Sequence, residues 1–302
     1  MHPARSLLIY LGVVFLGGAL LAPWLFWGVQ WLAAWLPLFA KLANNPFHRY
    51  LNRSLLALAL IGLWPLLRSL GLCTFRDVGL VKPAGQWRKL ASGFALGFAS
   101  LACAALVVVA AGARAVNTGD STSRLIGKVL GAAVTAGAVA LLEEILFRGA
   151  IFGALRKACR WPGALAISSA IYALVHFFSQ PPPPAEIEWT SGLVLLPGML
   201  RGFVEIERVM PGLLNLTLAG ALLAIAYQKT GNLYFSIGLH AGWIFWLKSY
   251  GFLSREATVA PSWFWGTGKL IDGWLALIVL AASGLALRKL LPKEPIDPEL
   301  EG

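Results

Sequence analysis

Charge is scarce in this chain. Of its 302 residues only 13 % are Asp, Glu, Lys or Arg, about half the ~25 % of an ordinary soluble domain, so water is excluded as the main solvent of the fold. Cysteine is scarcer still. Cys73, Cys103 and Cys159 are an odd number without metal-ligand spacing, which excludes a disulfide framework and leaves them as small apolar residues. A G-x-S-x-G elbow, a Walker loop and an H-E-x-x-H zinc helix are all missing. A serine or thiol nucleophile is therefore not expected. The net charge is +11, but the basic residues lie between apolar segments instead of forming a face interleaved with aromatics. Nucleic acid is therefore excluded as a partner.

Apolar length is what the chain has in abundance. It is 58 % hydrophobic, its mean hydropathy is +0.71, and runs near the roughly 20 residues that cross a bilayer recur throughout. The spans expected are 6–27, 54–72, 90–112, 125–147, 163–178, 212–228, 232–250 and 270–290. The fold class is then all-α, a polytopic membrane helical bundle of about eight transmembrane helices. Residues 28–42 are too short to cross alone and read as a tilted continuation of the first helix or an interfacial segment. The first run follows Arg5 without a clear cleavage site, so it reads as a retained helix and not a signal peptide. Thirteen Trp residues suit interfacial anchoring, and the basic excess suits anionic headgroups.

Along the chain the expected division is N-terminal helices over 1–112, a domain carrying the chemistry over 113–250, and a C-terminal helix with its tail over 251–302. The loop with Arg68, Arg76, Lys82, Arg88 and Lys89, the loop with Arg156, Lys157 and Arg160, and the tail with Arg288, Lys289 and Lys293 fall on one side. That side should be cytoplasmic and hold both termini. The opposite side receives Pro181 to Pro184 with Glu186, Glu188, Glu205 and Glu207, although Arg114, Arg124 and Lys128 also fall there.

Against this background Ala140 to Arg148, A-L-L-E-E-I-L-F-R, is out of place. Each charge near the bilayer centre costs at least ~2.5–3.5 kcal/mol on insertion scales, so pairing or function must offset it. Glu144 and Arg148 stand one helical turn apart with the acid first, the favourable order for an ion pair. Glu143 points about 100° away and stays free to act as a general base toward water. The competing reading is a helix end at the headgroups, with Arg148 snorkelling and both acids in water. Two further residues bear on the choice. His176 ends one apolar span and His240 sits inside another, where an imidazole needs a partner. One carboxylate and two imidazoles on separate helices can hold a metal, or position a water and stabilise an oxyanion. Gly149, Gly153, Gly238 and Gly242 flank these residues and would let helices approach closely, here or in simple bundle packing.

These residues resemble the motifs of the CPBP (CAAX protease and bacteriocin-processing, Abi) family of intramembrane proteases, which includes the type II CAAX prenyl endopeptidases. Its E-E-x-x-x-R motif resembles Glu143, Glu144 and Arg148. Its aromatic-x-x-x-His motif resembles Tyr172 and His176, with Tyr for the commoner Phe, and its T-G-N-L…H-A stretch resembles Thr230 to Leu233 with His240 and Ala241. The likeness covers roughly residues 125–250. It departs at Ile244, where the family often has an Asn that helps bind the oxyanion; Ser236, one turn before His240, is a stand-in donor.

The resemblance implies a membrane-embedded endopeptidase that hydrolyses peptide bonds of a peptide or protein substrate near or within the bilayer of a bacterial inner membrane. Glu143, Glu144, Arg148, His176 and His240 are its implied catalytic residues. In one version Glu143 is the base, His176 orients the water, His240 stabilises the oxyanion and the Glu144–Arg148 pair holds the helix. In the other, Glu143, His176 and His240 bind a metal, zinc by the family's older reading. A catalytically silent immunity or scaffold relative is the first alternative and a transporter the second. Substrate identity and oligomeric state are left open by the sequence.

Overall fold

The computed structural model describes residues 3–178, 181–203, 206–257 and 261–291. Lys293, Glu205 and the side chain of Glu207, which entered the loop-charge reading, lie outside it. The α-helices in chain order are α1 (Pro3–Gly12), α2 (Gly18–Trp35), α3 (Ala40–Ala43), α4 (Phe47–Ser69), α5 (Trp87–Ala110), α6 (Thr122–Glu144), α7 (Gly153–Ala158), α8 (Trp161–His176), α9 (Ser191–Met199), α10 (Ile206–Thr230), α11 (Tyr234–Leu253), α12 (Ser262–Trp265) and α13 (Trp274–Leu290). The only strands among the described residues are β1 (Arg114–Val116) and β2 (Ser254–Glu256), antiparallel with Arg114 opposite Glu256. The fold is thus the expected all-α membrane bundle.

Among the described residues five helical stretches are long and apolar enough to cross a membrane: Arg5–Trp35, Phe47–Ser69, Trp87–Ala110, Thr122–Ala158 and Val209–Thr230. They overlap five of the eight expected spans. The other three correspond to α8, α11 and α13, of 16, 20 and 17 residues. Residues 28–35 continue the first helix, as the Trp-rich segment suggested, and Pro37 then begins a short turn.

The chain groups into two compact units, Met1–Cys73 with Phe177–Ile206, and Thr74–His176 with Glu207–Gly302. This grouping is spatial, whereas 1–112, 113–250 and 251–302 follow chain order. In the first unit Ala19, Ala22, Phe47, Leu51 and Leu195 form the core. Pro23 cannot donate to the Ala19 carbonyl, and it is against that carbonyl that Gly192 of α9 packs.

The second unit is built around α11. Every residue from Phe235 to Ile244 is buried, as in a helix enclosed on all sides by protein. Glycines make the enclosure tight. A Cβ at Gly93 or Gly97 of α5 would collide with the carbonyls of Phe235 and Leu239, and one at Gly238 of α11 with that of Leu90. Backbones meet here as they do in small-xxx-small contacts. Leu101, Leu223, Leu239, Leu280 and Leu287 complete the core from α5, α10, α11 and α13. Gly242 joins the α5 contact and Gly149 packs against Val78. Gly153 meets only the backbone oxygen of Arg148, so it mediates no helix approach.

Candidate active site

The Glu pair lies in the interior of a continuous 37-residue helical stretch, Thr122–Ala158, and not at the end of a span closing at residue 147. Its α-helical bonding gives way directly after Glu144 to π-helical bonding over Ile145–Phe152. Such stretches are rare and occur mostly at functional sites. Arg148 lies within it. The ion pair Arg148 Nη1–Glu144 Oε1 is 2.9 Å long between side chains only 2 % and 0 % exposed. The helix-end reading, with Arg148 at the headgroups and both acids in water, does not survive that burial. Arg148 also donates from Nη2 to the Gly220 carbonyl of α10 at 3.3 Å, and its guanidinium lies 4.6 Å from the centroid of the Tyr172 ring.

Both carboxylates converge on His240, although successive helical residues diverge by about 100°. Glu144 Oε1 is 2.8 Å from Nδ1, while Glu143 Oε2 is 3.8 Å from Nε2. An ionised carboxylate only accepts, so Nδ1 carries the proton and donates it. In the neutral ring Nε2 then accepts from the Tyr172 hydroxyl, 3.1 Å away. His176 is fixed by the same logic. Its Nδ1–H donates to the carbonyl of Tyr172, one turn earlier on α8, at 2.7 Å, which leaves its Nε2 as an acceptor 3.7 Å from Glu143 Oε2.

All five residues singled out in the sequence thus meet in the second unit, supplied by α6 with its π-helical extension, α8 and α11. Glu143 and His176 are the accessible members, with side chains 26 % and 32 % exposed. Glu143 Oε2 is itself shielded and has no hydrogen-bond partner among the described residues. Its separations from the two imidazoles, 3.7 and 3.8 Å, are longer than direct hydrogen bonds.

Two contributors escaped the sequence reading. Tyr172 was read as a stand-in for Phe, yet its hydroxyl closes the Glu144–His240 chain. Gly220 carried no signal at all. A Cβ there would press on the Tyr172 ring at 3.1 Å and on the Ser169 backbone, so its bareness admits α8. The stand-in donor Ser236 is committed elsewhere, to the Leu233 carbonyl at 3.0 Å. Ile244 is buried and packs with Ala136 and Ala140 of α6.

Both nitrogens of His240 are engaged, and no group of three His, Cys, Asp or Glu among the described residues is arranged to hold a metal ion. Elsewhere in the second unit, α5, α6 and α11 line an open apolar groove of about 600 Å³ with Leu90, Phe94, Ala136, Leu141, Ile237 and Ala241; none of the five clustered side chains lines it.

No curated protein and no solved structure matches the chain. A family model does, that of Type II CAAX prenyl endopeptidase Rce1-like proteins, over residues 125–246. That stretch contains all five clustered side chains, and over it the chain is similar to that family.

Proposed function

We propose that the protein is a membrane endopeptidase that uses Glu143 as general base and needs no metal. The observation that supports this best is the convergence of Glu143 with both histidines: its Oε2 has no hydrogen-bond partner among the described residues and lies 3.7 and 3.8 Å from their Nε2 atoms. A water there donates one hydrogen to Glu143 and the other to His176 Nε2, which leaves a lone pair for the scissile carbonyl carbon. As the C–O bond forms, Glu143 takes the water's proton. When the C–N bond breaks, Glu143 returns that proton to the departing amine. General acid–base assistance of this kind contributes ~10²–10⁴-fold. Glu144 and Arg148 hold His240 and do not themselves exchange protons.

The substrate is a peptide or protein reached from the bilayer. The apolar groove lined by α5, α6 and α11 and the likeness to prenyl endopeptidases support a substrate with an apolar appendage. The orientation we assign puts Lys157 and both termini in the cytoplasm and Pro181 to Pro184 outside, following the basic loops. One observation favours a silent relative instead: Ile244 offers no hydrogen bond where the family often has an amide.

The test uses purified protein in detergent micelles and an internally quenched peptide ending in a farnesyl-cysteine plus three residues, with its unfarnesylated twin as comparison. Cleavage by the natural protein should survive a chelator and vanish in Glu143→Gln, which keeps size and polarity but removes the base. Equal turnover by Glu143→Gln, or none by the natural protein, would overturn the assignment.

A further inference from the structure

On α10, Leu218, Leu222 and Ile225 recur at helical spacing and form an apolar stripe on one face, which ends in Lys229 in the last turn. On α13 the pattern returns. Ala281, Gly284 and Leu285 share one face, and that stripe ends in Arg288, again in the last turn. Both stripes line one groove of about 440 Å³. Gly284 keeps it open, since a Cβ there would stand only 3.0 Å from Leu222 Cδ2.

The chemistry of the groove is divided along its length. From Leu218 to Lys229 the helix rises ~16 Å at ~1.5 Å per residue, about half of the ~30 Å hydrocarbon core and so the depth of one leaflet. Hydrocarbon lines that depth. At the other end stand Lys229, Arg288 and Trp161, the first residue of α8, and no Asp or Glu lines the groove. Lys and Arg lay their stems along apolar surface and keep the charge at the water's edge, while Trp settles at the level of the headgroups. A partner's transmembrane helix would need a track ~10–12 Å wide across the whole ~30 Å core. This groove stops halfway and ends in charge of one sign.

We propose that the groove between α10 and α13 is a binding site for one anionic glycerophospholipid, with an acyl chain along Leu218, Leu222, Ile225 and Gly284 and the phosphate at Lys229 and Arg288. Basic pockets between transmembrane helices bind lipid headgroups in this way, and the orientation assigned above puts the mouth in the cytoplasmic leaflet. The site is separate from the Glu143 cluster, none of whose five side chains lines it. Lipid binding here is independent of whether Glu143 acts as a base. It does bear on the cluster's support, because α10 also carries Gly220, whose carbonyl accepts from Arg148. A lipid that braces α10 against α13 braces that helix.

The experiment titrates purified, delipidated full-length protein in detergent with phosphatidylglycerol or with phosphatidylcholine of the same acyl chains, and counts bound lipid by native mass spectrometry. One phosphatidylglycerol should bind ahead of the rest, and more tightly than phosphatidylcholine. Lys229→Gln combined with Arg288→Gln should weaken that first binding roughly 30-fold, about fivefold for each cation. Lys289→Gln removes an equal charge from the neighbouring position outside the groove lining and should leave the first binding unchanged. Ala281→Trp, at an exposed position in the groove, keeps both cations but blocks the chain, so it should weaken both lipids. Equal affinity for the two lipids in the natural protein overturns the site, as does an undiminished first binding in the double variant or in Ala281→Trp. A loss in Lys289→Gln as large as that in the double variant would mean diffuse attraction to a basic surface and overturns it too. Displacement of the lipid by glycerol 3-phosphate would make the ligand a soluble phosphate, and displacement by the farnesyl-cysteine peptide would make the groove a substrate subsite. Either result overturns the lipid as its occupant.

Discussion

Arg148→Met tests how the cluster is held. The substitution keeps much of the side-chain volume and removes a guanidinium that is 2 % exposed and 2.9 Å from a carboxylate with no exposure at all. Replacing a whole buried ion pair by apolar groups is often neutral, but removing one partner leaves the other charge uncompensated and costs about 3–5 kcal/mol. The hydrogen bond to Gly220 and the contact with the Tyr172 ring are lost as well, and a desolvated cation–π contact is worth roughly 2 kcal/mol. We expect a loss of at least about 3 kcal/mol in a reversible unfolding titration with sodium dodecyl sulfate in mixed micelles. Adding Glu144→Gln should cost less than the two single losses together, with a coupling of about 0.5–3 kcal/mol. A loss below about 0.5 kcal/mol, the range of unremarkable surface changes, would mean that Arg148 reaches water and that the buried pair is not what fixes His240.

Gly97→Leu should abolish accumulation of folded protein, because a side chain there meets the Leu239 backbone; a normal yield in membranes would contradict the close α5–α11 contact. Ile244→Asn should lower the unfolding midpoint, since an apolar side chain worth about 1.5–3 kcal/mol of burial is exchanged for an amide in the α6–α11 seam. It should nevertheless raise kcat if its amide reaches the oxyanion, and an unchanged rate would remove residue 244 from the site. A cysteine introduced at position 185 should react with an impermeant maleimide added outside, and one at 157 should not. The reverse pattern would invert the orientation but leave the chemistry untouched.

The helical class and the site's membership were readable from the sequence because each rests on a local cost. Charges are expensive in hydrocarbon, so Glu143, Glu144, Arg148, His176 and His240 stood out as residues needing partners, and the structure joins them into one cluster. Their partners' identities were less legible. The divergence of Glu143 from Glu144 suggested separate targets, but the ring of His240 is wide enough to be met at both nitrogens. The switch to π-helical bonding at Ile145 has no compositional mark, because I-L-F-R-G-A-I-F is ordinary helix sequence. Gly220 could not be singled out among 32 glycines, since its role depends on α8 lying opposite. The hydroxyl of Tyr172 was in plain view at the motif's aromatic position, and only its neighbour across the helix gap gives it a task.

The burial of α11 has a consequence for biosynthesis. This 20-residue helix, bearing His240, is absent from the five stretches apolar enough to cross a membrane by composition. With His240 and Lys248 in it, this helix inserts from the translocon into lipid less readily alone than a wholly apolar one. It has to be received by neighbours already in the bilayer, above all by α5, whose glycines fit its backbone. Both α5 and α6 precede it during synthesis, and the carboxylates at the end of α6 wait in the membrane for it. The last side chain of the cluster to be delivered is therefore the imidazole on which both of those carboxylates converge, and the site is assembled only when the bundle itself is closed.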